Sequence, residues 1–206
     1  MTHEAPDPRF RGVLLVGGRS RRMGTDKLRL VLPDGALLVE RAADALRTRC
    51  GGGLALVAPA DVEPPPLDGF ERLHDVAPGE GPLAGLLAAL EDESPAPWLL
   101  VLAGDQPAVD PGFLRAFQRA ALEAPDRVLL PLRGRSRVEP LPMAVPKALA
   151  PVVRDRYEAG ERALRRALPS ALRRTFAVAA AHGRPWHDLD TPDEWRAWTG
   201  GRPVAP

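Results

Sequence analysis

The chain has 206 residues, a net charge of +1 and 45% hydrophobic residues. That length suits a single domain with one substantial core, and the balanced charge gives no reason to expect nucleic acid or an anionic membrane as partner. No apolar run reaches a membrane span, the polar start MTHEAPDPRFRG lacks a signal-type apolar segment, and the lone Cys50 excludes an internal disulfide or a cysteine metal cage.

These features predict a cytoplasmic protein, one domain over residues 1–206 with flexible tails at 1–11 and 200–206. Asn and Ile are absent, Pro occurs 24 times, and Lys appears only at Lys27 and Lys147, Arg taking every other basic position. Heat adaptation and coding bias both produce such a pattern. In a chain that writes Arg almost everywhere, a lysine marks a place where a compact ammonium is wanted.

Residues 12–16 form a short apolar run that reads as a buried strand. It breaks into Gly17 and Gly18, followed by Arg19, Arg21, Arg22, Gly24 and Lys27. Glycine lets backbone pass close to a ligand, and cations beside it suit a polyphosphate. The same residues also suit a plain strand-to-helix turn with solvated cations. The stretch is neither a P-loop nor a dinucleotide fingerprint.

Beyond the loop, Pro33-Asp34-Gly35 marks a turn, and residues 37–49 carry a helical apolar stripe ended by Gly51-Gly52-Gly53. Strands are expected at 54–57 and 70–73, the latter ending at His74-Asp75. Gly81-Pro82-Leu83-Ala84-Gly85 opens a helix to about residue 93, presenting small residues and a helix N-terminus either to a ligand or merely to a tight turn. Residues 98–102 are almost wholly apolar, as a central parallel strand should be, and end at Gly104-Asp105. Asp110 and Pro111 supply cap and first turn for a helix over 112–124. A strand at 127–130 is followed by proline-broken pieces over 131–146, expected as irregular or edge strands. Helices at 148–157 and 161–168, a strand at 174–179 and a helix at 191–198 capped by Thr191 complete the chain.

Strands alternating with helices predict an α/β fold around a mainly parallel sheet, and ligands bind such sheets at the carboxyl ends of the strands. The glycine loop, His74-Asp75 and Gly104-Asp105 all fall there. Asp105 is read as a magnesium carboxylate or as a turn-forming residue before Pro107, and Asp188 and Asp190 as a second acidic pair or as helix caps. Arg133, Arg135 and Arg137 are either solvated surface or a phosphate site for an acceptor. Trp186, Trp195 and Trp198 are read as packing.

The stretch VGGRSRRMGTDK (16–27) resembles the signature loop of the molybdenum cofactor guanylyltransferases. Asp75, Gly81-Pro82-Leu83-Ala84-Gly85, Gly104-Asp105-Gln106-Pro107, Ala159-Gly160-Glu161-Arg162-Ala163-Leu164 and Asp190-Thr191-Pro192 resemble later segments of that family, in the same order. The resemblance implies a Rossmann-like nucleotidyltransferase fold, three-layered α/β/α, and transfer of GMP from GTP to molybdenum-molybdopterin with release of pyrophosphate. It implies nucleotide contacts from Leu15, Val16, Gly17, Gly18, Asp75, Gly81, Pro82 and Leu83, phosphate contacts from Lys27 and Arg22, and Mg2+ held by Asp105 with Asp190 as a further ligand. Partner proteins would be other cofactor-biosynthesis proteins or molybdoenzymes. Val16 stands where the family usually has Ala, and Ala58 where it often has Asn; both departures bear on base affinity more than on reaction type. Alternatives are a CTP-dependent molybdopterin cytidylyltransferase, a nucleotidyltransferase for sugar or alcohol phosphates, and a non-catalytic nucleotide-binding partner; Gly17 favours a purine, and Lys27 with Asp105 favours catalysis.

Overall fold

The computed structural model describes residues 4–17, 27–74, 77, 80–189 and 191–200. Strand β1 (Phe10–Leu15) pairs in parallel with β2 (Leu54–Ala58) on one side and β4 (Trp98–Ala103) on the other. Its continuous apolar sequence follows from that position, with helices covering both faces. The sheet runs β3 (Glu71–His74), β2, β1, β4, β7 (Met143–Pro146), β5 (Val128–Arg133), β6 (Arg137–Val138), with β8 (Arg173–Ala177) joined in parallel to β5. Among the described strands, β7 and β6 run against the common direction, because both pair antiparallel with strands that share it.

Strand alternation divides the core into two layers. Phe10, Leu14, Leu56, Trp98, Leu100 and Leu102 face helices α1 (Leu38–Arg47) and α3 (Pro111–Leu122). Val13, Val57, Leu99, Val101, Met143 and Val145 face α2 (Pro82–Leu90), α4 (Ala150–Glu158) and the one-turn α5 (Leu164–Ala167). The result is the expected three-layer α/β/α arrangement. Asp110 caps α3 by accepting from the Phe113 amide at 2.9 Å, with Pro111 in the first turn. Helix α6 (Pro192–Thr199) opens with a capping box between Thr191 and Glu194. No helix among the described residues is long and apolar enough to cross a membrane.

Three expectations need correction. The N-terminal tail is shorter than 1–11: β1 begins at Phe10, and Asp7 bridges to Cys50. The triple glycine makes this possible, since a side chain at Gly51 would sit 2.7 Å from the Pro6 carbonyl oxygen. At the other end, Gly200 caps α6, and 201–206 lie outside the described residues. Within 131–146, β7 is not an edge but a fully buried strand between β4 and β5. Its prolines flank it: Pro142 precedes the strand and Pro146 ends it, so the intervening residues keep their ladder amides. The helix expected at 161–168 contracts to Leu164–Ala167, because Glu161 folds back to accept from the Arg162 and Ala163 amides at 2.7 and 2.8 Å.

A buried charge network locks the end of the sheet opposite the strands' carboxyl termini. Arg11 of β1 places Nε 2.9 Å from Asp92 Oδ2, and Lys147 Nζ lies 2.8 Å from Asp92 Oδ1. Lys147 also donates to the Asp92 and Ser94 carbonyls at 2.6 and 2.8 Å. Three acceptors converging on one nitrogen suit an ammonium and not a planar guanidinium.

Candidate functional site

The carboxyl ends of β1, β2 and β4 form the floor of the site. The Val16 amide donates to the Val57 carbonyl at 2.9 Å, and the Gly104 amide to the Leu15 carbonyl at 3.0 Å, so the glycine loop departs from a fixed edge. Gly17 abuts β2's end: a Cβ there would stand 3.0 Å from Pro59 Cδ. Its lack of a side chain therefore serves the chain's own approach to β2. Gly18, Arg19, Arg21, Arg22 and Gly24 lie outside the described residues.

The chain returns at Lys27, the first residue of a single 3-10 turn (Lys27–Arg29). Lys27 is 9% exposed, and its Nζ lies 3.2 Å from Asp105 Oδ2. Asp105 follows β4 directly through Gly104. A Cβ on Gly104 would meet Val16 Cγ1 at 2.9 Å and Leu28 Cδ2 at 3.1 Å. Val16, 2% exposed, thus turns inward and fills the space that Gly104 leaves empty. The departure from Ala is explained by packing, and the Val16 side chain does not face a ligand. Ala58, the other departure, is likewise fully buried at the end of β2.

The Gly104-Asp105-Gln106 turn is held from two directions. Buried Gln106 accepts from the Ala103 amide through Oε1 at 3.2 Å. The Leu189 amide donates to the Asp105 carbonyl at 3.2 Å. Leu189 is itself fixed in a small core with Leu30, Leu32, Leu38 and Trp195. The C-terminal segment that carries Asp188 is thereby brought alongside Asp105. Asp190 lies outside the described residues, and so does Asp75.

Helix α2 begins beside β1. Gly81 is its N-cap with φ 89°, a left-handed value natural only to glycine, and Pro82 sits in the first turn. Gly85 faces the sheet, where a Cβ would stand in ordinary contact, 3.4 Å from both Leu15 Cδ2 and Val57 Cγ1. Leu83 is fully buried, so a nucleotide at this turn would meet its backbone and not its side chain. The structure therefore brings together residues 15–17, Lys27 and Asp105, while α2, whose first turn carries Gly81-Pro82, packs through Gly85 against Leu15 and Val57.

The other candidates stand apart. Arg133 and Arg137 share Glu139 on the hairpin at the far side of the sheet, at 3.6 and 2.9 Å. Trp195 is core, whereas Trp198 is 41% exposed and stacks on His187 with ring centres 6.1 Å apart. Cavities of about 510 and 520 Å3 flank Trp198 and share Asp110 in their walls. Cys50 is buried, and burial pushes its thiol pKa far up, which suits an inert packing residue. Among the described residues there is no cluster of three or more His, Cys, Asp or Glu able to hold a metal by protein ligands alone. A hard oxygen donor such as Asp105, one quarter exposed, fits a magnesium ion that takes its remaining ligands from phosphate and water.

Sequence reasoning missed the brace that Gln106 gives the Gly104-Asp105-Gln106 turn, the packing of Val16 against Gly104, and the meeting of Glu80 with Tyr157 and Arg162. The Gly-Asp-Gln-Pro and Ala-Gly-Glu-Arg-Ala-Leu segments marked Gln106 and Arg162 as parts of family motifs, but nothing local signalled what they meet, and the pairing of Val16 with Gly104 joins positions far apart in the chain.

The model of the MobA-like NTP transferase domain matches residues 12–175. A probable molybdenum cofactor guanylyltransferase of Opitutus terrae is 34% identical over 93% of this chain and 90% of its own length. Another from Chloroflexus aggregans is 36% identical over 91% of this chain and 83% of its own. The crystal structure of molybdopterin-guanine dinucleotide biosynthesis protein A from Archaeoglobus fulgidus superposes with a TM-score of 0.74 at 22% identity, covering 92% of this chain and 97% of that one.

Proposed function

The chain belongs to the MobA-like NTP transferase family, and on that premise we propose that it transfers GMP from GTP to molybdenum-molybdopterin, releasing pyrophosphate. The observation that supports the reading is the Lys27–Asp105 pair, set at the carboxyl ends of β1 and β4 beside the backbone of 15–17. A cation for phosphate and a carboxylate for a metal stand within one ion pair of each other there.

In the reaction, a terminal phosphate oxygen of the acceptor attacks the α-phosphorus of GTP in line. The new P–O bond forms as the bond to the β-phosphate bridging oxygen breaks, and pyrophosphate departs with that electron pair. Lys27, released from Asp105 by the arriving triphosphate, takes charge developing on the phosphates; Arg22 is assigned the same task. Asp105 would hold Mg2+, with Asp190 as a further ligand, and that ion supplies positive charge to the triphosphate. The amides of 15–17 and the α2 N-terminus at Gly81-Pro82 receive the nucleotide, with Gly18, Asp75 and Leu83 completing its contacts. No protein nucleophile is needed. The partner proteins inferred are other cofactor-biosynthesis proteins or molybdoenzymes, and the compartment inferred is the cytoplasm.

The test is thermal stabilisation by GTP, CTP and ATP, each with and without magnesium. A ligand that binds the native state raises the melting temperature with the logarithm of its saturation. Stabilisation by GTP that grows with magnesium is expected. Stabilisation by CTP alone would replace the guanylyl reading with a cytidylyl one, which the packing role of Gly17 leaves chemically open.

A further inference from the structure

Glu80, immediately before the helix cap at Gly81, is gripped by two residues of a distant segment. Tyr157 donates its hydroxyl to Glu80 Oε2 at 2.6 Å, and Arg162 NH2 lies 2.8 Å from the same oxygen. The Arg162 guanidinium also stacks over the Tyr157 ring, 4.2 Å from its centre, and donates through NH1 to the Tyr157 and Glu161 carbonyls at 2.7 and 2.9 Å. Both cationic and aromatic partners are thus fixed before they meet the carboxylate. The backbone closes the same contact: a Cβ on Gly81 would stand 3.3 Å from the Arg162 carbonyl oxygen. Glu161 in turn braces this bend by accepting from the Arg162 and Ala163 amides.

We propose that Arg162, with Tyr157, is a positioning residue for nucleotide binding: it clamps Glu80 and so holds the Gly81-Pro82 turn in the shape that receives GTP. This rests on the proposed function, which puts the nucleotide at that turn. An isolated surface ion pair would contribute little, but here a guanidinium already held by two carbonyls and stacked on the Tyr157 ring shares one carboxylate oxygen with the phenol hydroxyl, which fixes geometry as well as charge. The turn it fixes carries a left-handed glycine, a conformation with many alternatives once its flank is loosened. This assigns a role to Ala159-Gly160-Glu161-Arg162-Ala163-Leu164, which has no place among the groups that touch the triphosphate.

The test compares wild type with Arg162→Ala, Arg162→Lys and Tyr157→Phe, by calorimetric affinity for GTP with magnesium and by KM against kcat in GMP transfer. Arg162→Ala is expected to raise KM for GTP and weaken its affinity about tenfold, with kcat within about twofold of wild type. Tyr157→Phe, which keeps the ring and removes only the hydroxyl, is expected to raise KM about threefold, and Arg162→Lys to fall between. Should Arg162→Ala not fold, Tyr157→Phe decides by the same measure. Unchanged GTP affinity in the folded variants, or a fall in kcat with KM unmoved, overturns the inference while leaving the enzyme's assignment standing. A wild-type protein that binds no GTP overturns both.

Discussion

Lys27 Nζ stands 3.2 Å from Asp105 Oδ2, and the two side chains are 11% and 25% exposed. The ammonium is nearly buried and finds a counter-charge in the carboxylate, which itself keeps a quarter of its surface open. A triphosphate with its metal offers both residues new partners at once, phosphate oxygen for the ammonium and a cation for the carboxylate. The pair therefore keeps two opposite charges ready at one strand edge without an uncompensated charge in the ligand-free protein.

Asp105→Asn keeps the shape of the turn and removes the metal-binding charge. GMP transfer is expected to fall by about a thousandfold, the scale of losing a group that stabilises transition-state charge. Lys27→Met is expected to weaken GTP affinity by roughly 10- to 100-fold, the worth of a hydrogen bond to a charged group. Steady-state kinetics and calorimetry check the two; normal turnover by Asp105→Asn would remove the carboxylate from the mechanism.

Gly104→Ala tests whether packing sets the loop. Its new Cβ would stand 2.9 Å from Val16 Cγ1, 3.1 Å from Leu28 Cδ2 and 3.3 Å from Val39 Cγ2, all in the core beside the site. A cost of about 1–3 kcal/mol is expected from such overpacking. Combining it with Val16→Ala removes the nearest clash, so the double variant should lose less than the two single losses added together. Urea denaturation of the four proteins measures that coupling, and additive losses would mean the two residues do not share one space.

The α/β class, the helix caps at Asp110 and Thr191 and the meeting of Lys27 with Asp105 near one sheet edge were all legible, because each follows from local pattern and from the rule for strand ends. What the sequence concealed depends on contacts far apart in the chain. Val16 reads as an odd residue in a ligand loop until Gly104, 88 positions on in the numbering, is seen to lack the side chain that Val16 replaces. The burial of β7 was hidden by prolines that mark its ends, not its middle. Glu80 and Arg162 meet only because α4 returns across α2, and the Leu189 amide reaches Asp105 only through the small core around Trp195.

Lys147 is the second lysine in a chain of arginines, and its surroundings explain the choice. Its ammonium serves the Asp92 carboxylate and two carbonyls at the closed end of the sheet. Lys147→Met would strand those acceptors and unbalance Asp92, leaving it to Arg11 alone. A loss of about 3 kcal/mol is expected, and Lys147→Arg should recover only part of it, since a guanidinium cannot converge three acceptors on one nitrogen. Thermal or urea unfolding reads this directly. Full recovery by arginine would show that charge alone matters there.

Glu161 links acid stability to the clamp on Glu80. The Arg166 guanidinium, donating to both carboxylate oxygens at 2.7 and 3.0 Å, and the Ala163 amide hold its pKa down from 4.5 to about 2. A carboxylate whose folded pKa lies below its unfolded one adds stability that is complete above the unfolded value. That contribution drains away as pH falls from about 4.5 towards 2. Glu161→Gln cannot carry the charge at any pH, so the stability gap between wild type and variant should be widest near neutrality and close across that window. Urea midpoints at several pH values test it, and a gap constant from neutrality to pH 2 would deny the depressed pKa. Because the same carboxylate braces the amide of Arg162, Glu161→Gln at neutral pH should also raise KM for GTP, by less than Arg162→Ala does, and a rise in KM without loss of kcat would tie the acid-sensitive bend to the nucleotide turn.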